Sequence, residues 1–365
     1  MALLQEGQSI HGTYEIERFL GQGAFAEVYR VKHRFLGRQA MKVFKRIDVT
    51  LSEIEEMLGE AILLSKIGHP NIVRVFDANI FETLDGVCGY FTMENVSGGS
   101  LDKFWRSHGV AQVPVETTID ILIQVCRGLS VAHLSDPPII HRDIKPQNIL
   151  VGYESDGLRA RISDFGLAKH VNPLTLLATA MGTLAFKAPE TFVESKSDSC
   201  AGDVWALGVT LYLLLTDQLP VKVESEEGKQ NLKAFQNAIP VPSSWNVRVD
   251  KSLDDIVSRC LDRDPARRYR NAKELLKDLE HWKESPKEVA KGDSVGHPSI
   301  TVLTKLAPVD PAEGERLVSL AISKAKTEGK LFEAADLMEE AFNKAPLLRQ
   351  KYAERVRLWR CGISM

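Results

Sequence analysis

The sequence predicts an α+β fold of two lobes and an appendage: a small, mostly antiparallel β lobe with one helix, a larger mainly helical lobe, and a small α-helical C-terminal extension. Three observations predict it. Short alternating apolar runs broken by glycine fill the chain from Tyr14 to about Val49. Helical apolar spacing takes over after Ser97-Gly98-Gly99, and a Ser-, Pro-, Lys- and Gly-rich stretch from about Glu284 to Pro298 has the composition of a linker. The resulting division is 14–283 for the main domain, 284–310 for the linker and 311–360 for the extension.

In the first lobe, the residues around Tyr29 alternate and Gly21, Gly23 and Gly37 interrupt the runs, which suggests twisted strands. Ser52 followed by Glu55 is a capping-box signal, and Ile54, Met57, Leu58, Ala61 and Leu64 recur at helical spacing, so one helix breaks the strand series. Beyond His69-Pro70-Asn71, the runs Ile72–Phe81 and Val87–Asn95 read as strands again. In the second lobe the longest apolar stretch, Val204–Thr216, is short of the ~20 residues a membrane helix needs and reads as a buried core helix.

The bulk numbers exclude several classes. A chain of 365 residues with 44% apolar composition can bury a sizeable core, and a formal charge of -3 offers no long-range attraction to nucleic acid or an anionic membrane. Five cysteines, odd in number and widely spaced, fit neither a disulfide framework nor a zinc site. A reducing compartment, the cytoplasm, is expected. The start has no basic region followed by an apolar run, so no secretory signal is read there.

Gly21-Gln22-Gly23-Ala24-Phe25-Ala26-Glu27-Val28 places two glycines where a backbone can approach phosphate oxygens without a side chain in the way. Taken alone, the pair also suits an ordinary glycine-rich hairpin. A dinucleotide-binding turn would need a helix to follow, whereas Glu27–Lys32 alternates like a strand. On the next strand Lys42 stands among Ala40, Met41, Val43 and Phe44, where an ammonium is costly unless anions receive it. Nucleotide phosphates and the carboxylate of Glu60, on the interrupting helix, are the expected anions; a solvated helix glutamate is the plainer reading of Glu60.

The segment Ile140-His141-Arg142-Asp143-Ile144-Lys145-Pro146-Gln147-Asn148-Ile149-Leu150, followed by Ile162-Ser163-Asp164-Phe165-Gly166, carries the chemistry. Phosphoryl transfer needs metal ions against phosphate charge, a group to orient a hydroxyl nucleophile, and a cation near the migrating group. Asp143 can accept the hydroxyl proton, Lys145 can stabilise the transferring charge, and Asn148 and Asp164 are hard oxygen ligands suited to Mg2+.

In these residues the chain resembles the eukaryotic-type, or Hanks-type, serine/threonine protein kinase family, over about Tyr14 to Trp282. Further matches follow in the family's order: the hinge-like Met93-Glu94-Asn95-Val96, Ala188-Pro189-Glu190, Asp203-Val204-Trp205, and Asp264-Pro265 with Arg268. The resemblance implies a two-lobed fold that uses ATP and Mg2+ on protein substrates. It implies that Leu20, Gly21 and Gly23 cover the nucleotide, that Val28, Ala40 and Leu150 sandwich the adenine, and that Glu94 and Val96 bond its edge with Met93 as gatekeeper. It also implies that Glu190 pairs with Arg268 and that Asp203 braces the catalytic loop.

Lys145, two residues after Asp143, and Thr183 after Gly182 are typical of the family's Ser/Thr branch. Arg142 needs an anion, in this family often a phosphorylated loop residue, and Thr175 and Thr179 are the candidates; the plain reading is that both are loop polar residues. Departures are Ala26 for a third glycine, Ser100 and Gln147 where arginine-directed members carry carboxylates, and Phe186-Lys187 where a tyrosine is usual. The competing reading is a nucleotide-binding pseudokinase or scaffold whose tail recruits a partner protein. In the tail, Gly329, Ala334, Met338, Ala341 and Pro346 are spaced like the second helix of a tetratricopeptide-type repeat, or of any packed helical hairpin. One such unit cannot bury its own apolar face, so docking on the rest of the chain, self-association and binding a protein partner are the outcomes open to it.

Overall fold

A computed structural model describes residues 2–23, 26–45, 55, 58–59, 63, 65–83, 86–108, 112–165, 184–192, 198–221, 225–226, 229–230, 235, 237–285, 310–327, 329–345 and 347–363. The chain divides into two compact units: the first runs to Val96 and takes the chain up again at Ile162, and the second takes Ser97–Arg161 and the later chain.

The first unit is built on six strands, β1 (Ser9–Ile10), β2 (Tyr14–Gln22), β3 (Ala26–His33), β4 (Gly37–Phe44), β5 (Val75–Thr83) and β6 (Gly86–Glu94). They form one antiparallel sheet in the order β1-β2-β3-β4-β6-β5. Strand alternation sorts the side chains. Tyr29, Val31, Met41, Val43 and Tyr90 turn one way and close a core with Tyr14, Ile16 and Phe81. Leu4 and Ile10, ahead of the first predicted strand, join that core.

By the same alternation Val28, Ala40, Lys42, Phe91 and Met93 share the opposite face, and the register sets Val28 and Phe91 beside Lys42 and Met93 beside Ala40. Register shifts in β2, between Ile16 and Arg18 and between Phe19 and Gly21, bend the strand where the glycine loop begins. The run expected from Ile72 joins the sheet only at Val75, because Ile72 instead bridges in parallel to Ile162. Of the expected interrupting helix, Glu55, Leu58, Gly59, Leu63, Ser65 and Lys66 are helical; its capping residue Ser52 lies outside the described residues.

The second unit contains α1 (Leu101–Arg106), α2 (Val115–His133), the hairpin strands β7 (Ile149–Glu154) and β8 (Gly157–Ile162), α3 (Cys200–Thr216), α4 (Lys251–Cys260) and α5 (Ala272–Glu284). Ser199 caps α3 by accepting the Gly202 N–H, and every residue from Asp203 to Thr216 is buried, so this helix is apolar all round because it is central. No helix among the described residues is long and apolar enough to cross a membrane. A Cβ on Gly208 would lie 2.5 Å from the Cys260 Cβ. Gly208→Ala is therefore expected to destabilise the protein by about 1–3 kcal/mol, read as a lower urea midpoint with an unchanged slope.

The extension forms α6 (Pro311–Ala325), α7 (Leu331–Lys344) and α8 (Leu348–Arg360). Asp310 caps α6 by accepting the Glu313 N–H, with Pro311 in the first turn. Ala334, Met338 and Ala341 are fully buried in a core with Leu317, Phe342 and Trp359, and Tyr153 of β7 packs against it. Pro346 lies outside the described residues. Of the three outcomes open to the tail, the structure has the first: it docks on its own chain. Buried Arg349 sits over the rings of Phe104, Phe342 and Tyr153 at 4.7, 5.2 and 5.9 Å, covering aromatic faces from both sides of the junction.

Candidate active site

In the first unit, the sequence places a lysine among the apolar residues of β4, and the structure gives it a carboxylate. Lys42 Nζ pairs with Asp164 Oδ1 and stands 5.5 Å above the Phe91 ring. The lysine side chain is 6% exposed, so the ammonium is held away from water and needs anionic company of the kind Asp164 gives it. Glu60, the carboxylate expected for it, lies outside the described residues. Asp164 reaches Lys42 because its segment is stitched to the sheet's approach: Val73 N–H donates to Ile162 O at 2.9 Å and Ile162 N–H to Asn71 O at 2.9 Å. Asp164 has φ +61°, a left-handed backbone that a non-glycine residue adopts at a cost of ~1–3 kcal/mol and that clusters at functional sites.

Around this pair Ala40 and Met93 are buried, while Leu20, Val28, Glu94 and Val96 are partly open. The Gly23 N–H donates to Ala26 O at 2.8 Å, closing the glycine turn; Ala24 and Phe25 lie outside the described residues.

In the second unit the segment predicted to carry the chemistry is a closed arrangement of three side chains. Lys145 Nζ lies 2.8 Å from Asp143 Oδ2, and Asn148 Nδ2 donates to the same oxygen at 2.9 Å and to the Asp143 carbonyl at 2.8 Å. Pro146–Asn148 forms a single 3₁₀ turn that brings Asn148 back onto Asp143. The Asp143 side chain stays 23% exposed, a carboxylate oriented by two donors yet reachable. Leu150 follows in β7 and bridges to Ser100. The cavity lined by Asp143, Ile144, Arg142, Phe186, Lys187 and Asp198 opens onto this loop.

Asp203 holds the loop's backbone from beneath. Its carboxylate accepts the His141 N–H at 2.7 Å and the Arg142 N–H at 2.8 Å, and His133 Nε2 donates to it at 3.0 Å while the Ala272 N–H donates to His133 Nδ1. Burial alone would push the Asp203 carboxyl up, but the His133 hydrogen bond and the loop's donors hold it below its ordinary value of 3.8. A depressed carboxylate stabilises the fold at pH above its unfolded value and loses that contribution as pH falls through its folded one. Thermal melts should therefore fall away steeply below pH ~4, and Asp203→Asn should both lower the melting temperature at neutral pH and flatten that acid limb.

Arg142 has φ +69° and pairs through Nε with Asp198 Oδ2 at 2.8 Å. The sequence points to Thr175 and Thr179 for its anion, and these with Thr183 lie outside the described residues. Asp198 escapes a reading of the sequence; its sole signal there is an acid one residue ahead of the Ser199 cap. The pairing of Glu190 with Arg268 is present, bidentate at 2.7 and 2.8 Å. Lys42 and Asp164 are thus together in the first unit, and Asp143, Lys145 and Asn148 in the second.

An antiparallel sheet with a buried lysine–aspartate pair, and a helical unit with an aspartate–lysine–asparagine loop braced from a buried helix, are the elements of a protein-kinase type of fold. Residues 14–279 match the protein kinase domain family, and the chain belongs to that family. It is 32% identical over 284 residues to a Clostridium perfringens protein carrying the name probable serine/threonine-protein kinase, covering 77% of this chain and 40% of that one. It is 30% identical to the serine/threonine-protein kinase PrkC of Bacillus subtilis over 277 residues, 75% of this chain and 41% of that one. The chain spans about two fifths of the length of these curated relatives. Among solved structures, the Mycobacterium tuberculosis PknI kinase domain superimposes with a TM-score of 0.56 at 25% identity, over 76% of this chain and 99% of that one.

Proposed function

We propose that this chain is an active serine/threonine protein kinase that transfers the γ-phosphoryl group of ATP to protein hydroxyls. The observation that carries the reading is the Asp143–Lys145–Asn148 arrangement, a partly open carboxylate held in one orientation by an ammonium and an amide. Asp143 accepts the proton of the attacking hydroxyl, Lys145 moves from Asp143 to the charge on the transferring group, and Lys42 holds the α- and β-phosphates. Thr183, typical of the Ser/Thr branch, and Glu60, the carboxylate expected for Lys42, complete the roles that the family resemblance implies. Val28, Ala40, Met93, Glu94, Val96 and Leu150 take the adenine, and Leu20, Gly21 and Gly23 cover the phosphates.

The donor set suits Mg2+. Asn148 turns its Nδ2 to Asp143, which makes its oxygen the ligand-capable atom, and Asp164 is a carboxylate, two hard donors of the kind Mg2+ takes alongside phosphates and water. When bound, the metal would offset the negative charge of the phosphates.

Regulation is read at Arg142. Its present partner, Asp198, is 42% exposed, so the pair is weak, and a doubly charged phosphate on Thr175 or Thr179 outcompetes a single carboxylate. The Thr175→Ala/Thr179→Ala variant is expected to lose activity about tenfold or more in a peptide assay, and full activity would contradict the switch. The five free cysteines suit a reducing cytoplasm. The kinase domain is taken as 14–283 with the linker 284–310 and the extension 311–360. Incubation with Mg2+, γ-labelled ATP and a generic protein acceptor tests the reading; transfer to serine or threonine supports it, and nucleotide binding without transfer favours a pseudokinase.

A further inference from the structure

The extension grips the catalytic unit through a polar network where apolar packing would have sufficed. Arg360 donates to Ser97 Oγ at 3.0 Å, to Asp336 Oδ1 at 2.6 Å and to Glu339 Oε2 at 2.7 Å. Ser97 Oγ in turn donates to Asp336 Oδ1 at 2.8 Å, and the other Glu339 oxygen accepts the Tyr153 N–H at 2.9 Å. The Glu339 side chain is 1% exposed. A carboxylate buried to that degree is costly, and is tolerated because each oxygen has a donor. Apolar contacts tolerate sliding; bonds to one hydroxyl and one backbone N–H fix a position.

The two anchored points belong to two strips of chain that are already laced together. Val151 N–H donates to Gly99 O at 2.8 Å, Ser100 bridges to Leu150, and a Cβ on Gly98 would lie 2.2 Å from Val151 O. The approach is so close that only glycine fits at position 98. One strip follows directly on Glu94–Val96 in sequence, and the other contains Leu150; these are the residues assigned above to the adenine. We infer that Glu339 and Arg360 are positioning residues for the nucleotide base: the tail clamps Ser97 and Tyr153 and so sets the strips that receive the adenine. This rests on the kinase reading for the identity of the ligand.

The test uses the full chain and measures binding of ATP, adenosine and inorganic tripolyphosphate by competition against a fluorescent ATP analogue, well below each variant's melting temperature. Arg360→Ala and Glu339→Ala are expected to weaken ATP and adenosine alike, roughly tenfold, the scale of one lost hydrogen bond, while tripolyphosphate binding is unchanged. In the kinase assay KM for ATP rises by the same factor with kcat retained. Glu339→Gln keeps an acceptor for the Tyr153 N–H and should recover most of the affinity, and Lys324→Ala, which breaks the separate Lys324–Glu333 pair, should leave it unaltered. If either alanine variant fails to fold, Ser97→Ala decides, with an expected loss of roughly two- to threefold. Variants that melt lower but bind adenosine and ATP as the unaltered chain does would overturn the inference, as would an equal loss for tripolyphosphate. An unaltered chain that binds no adenine nucleotide would instead remove the kinase reading on which the inference rests.

Discussion

Asp143→Asn should lower phosphoryl transfer by about 10²–10⁴-fold while ATP binding and the melting temperature stay close to those of the unaltered chain. The expectation follows from where the carboxylate sits. It is partly open, makes its side-chain contacts to Lys145 and Asn148, and carries no structural span of its own. An asparagine in its place keeps an oxygen toward Lys145 and Asn148, so the loop should hold its shape, but it cannot take the hydroxyl proton. Lys145→Ala should fall by a similar 10²–10³-fold, as loss of a charge stabiliser does. Titration with ATP and single-turnover transfer separate the two effects: binding preserved with transfer lost is the expected pattern for both.

Arg268→Ala should be the most damaging single change to stability, at about 3–5 kcal/mol, or a fall on the order of 10 °C in melting temperature. The guanidinium side chain is fully buried. Its Nε donates to Asp262 O at 2.6 Å, the two terminal nitrogens take the Glu190 oxygens, and the remaining two N–H groups reach Ala201 O and Arg263 O at 3.2 Å. All five donors are therefore used, and the group also lies 4.9 Å over the Trp205 ring. Alanine would leave the Glu190 charge and three carbonyls without this partner. Arg268→Lys should rescue little, because three donors at a point cannot replace five in a plane. Urea and thermal denaturation give the comparison directly, and a loss under 1 kcal/mol for Arg268→Ala would contradict the account of this site.

Much of this was legible because local spacing carried it. Alternation around Tyr29 marked β3, and the lone lysine among Ala40, Met41, Val43 and Phe44 marked the next strand as the one that carries a costly ammonium, while its face came only from the register. The apolar run Val204–Thr216 marked the central helix, and the order of the family motifs paired Glu190 with Arg268 and set Asp203 under the loop. What escaped depends on partners far apart in the chain. Leu4 gave no strand signal, yet it fills the sheet's core. Asp198 was one loop acid among several until the fold brought it to Arg142. Arg360 and Ser97 are 263 residues apart, and neither belongs to a motif, so the anchoring of the extension had no trace in the sequence. The periodicity of α7 did announce a helix with Ala334, Met338 and Ala341 inward, but not what would cover it.

Phosphoryl transfer by the chain itself is the central claim. Incubating the full chain with Mg2+ and γ-labelled ATP, alone and with a generic protein acceptor, and mapping every labelled residue is the most direct measurement. The expected result is label on serine and threonine, including Thr175 or Thr179, that disappears in Asp143→Asn. Absence of label from the unaltered chain, or label that persists in Asp143→Asn, would contradict it.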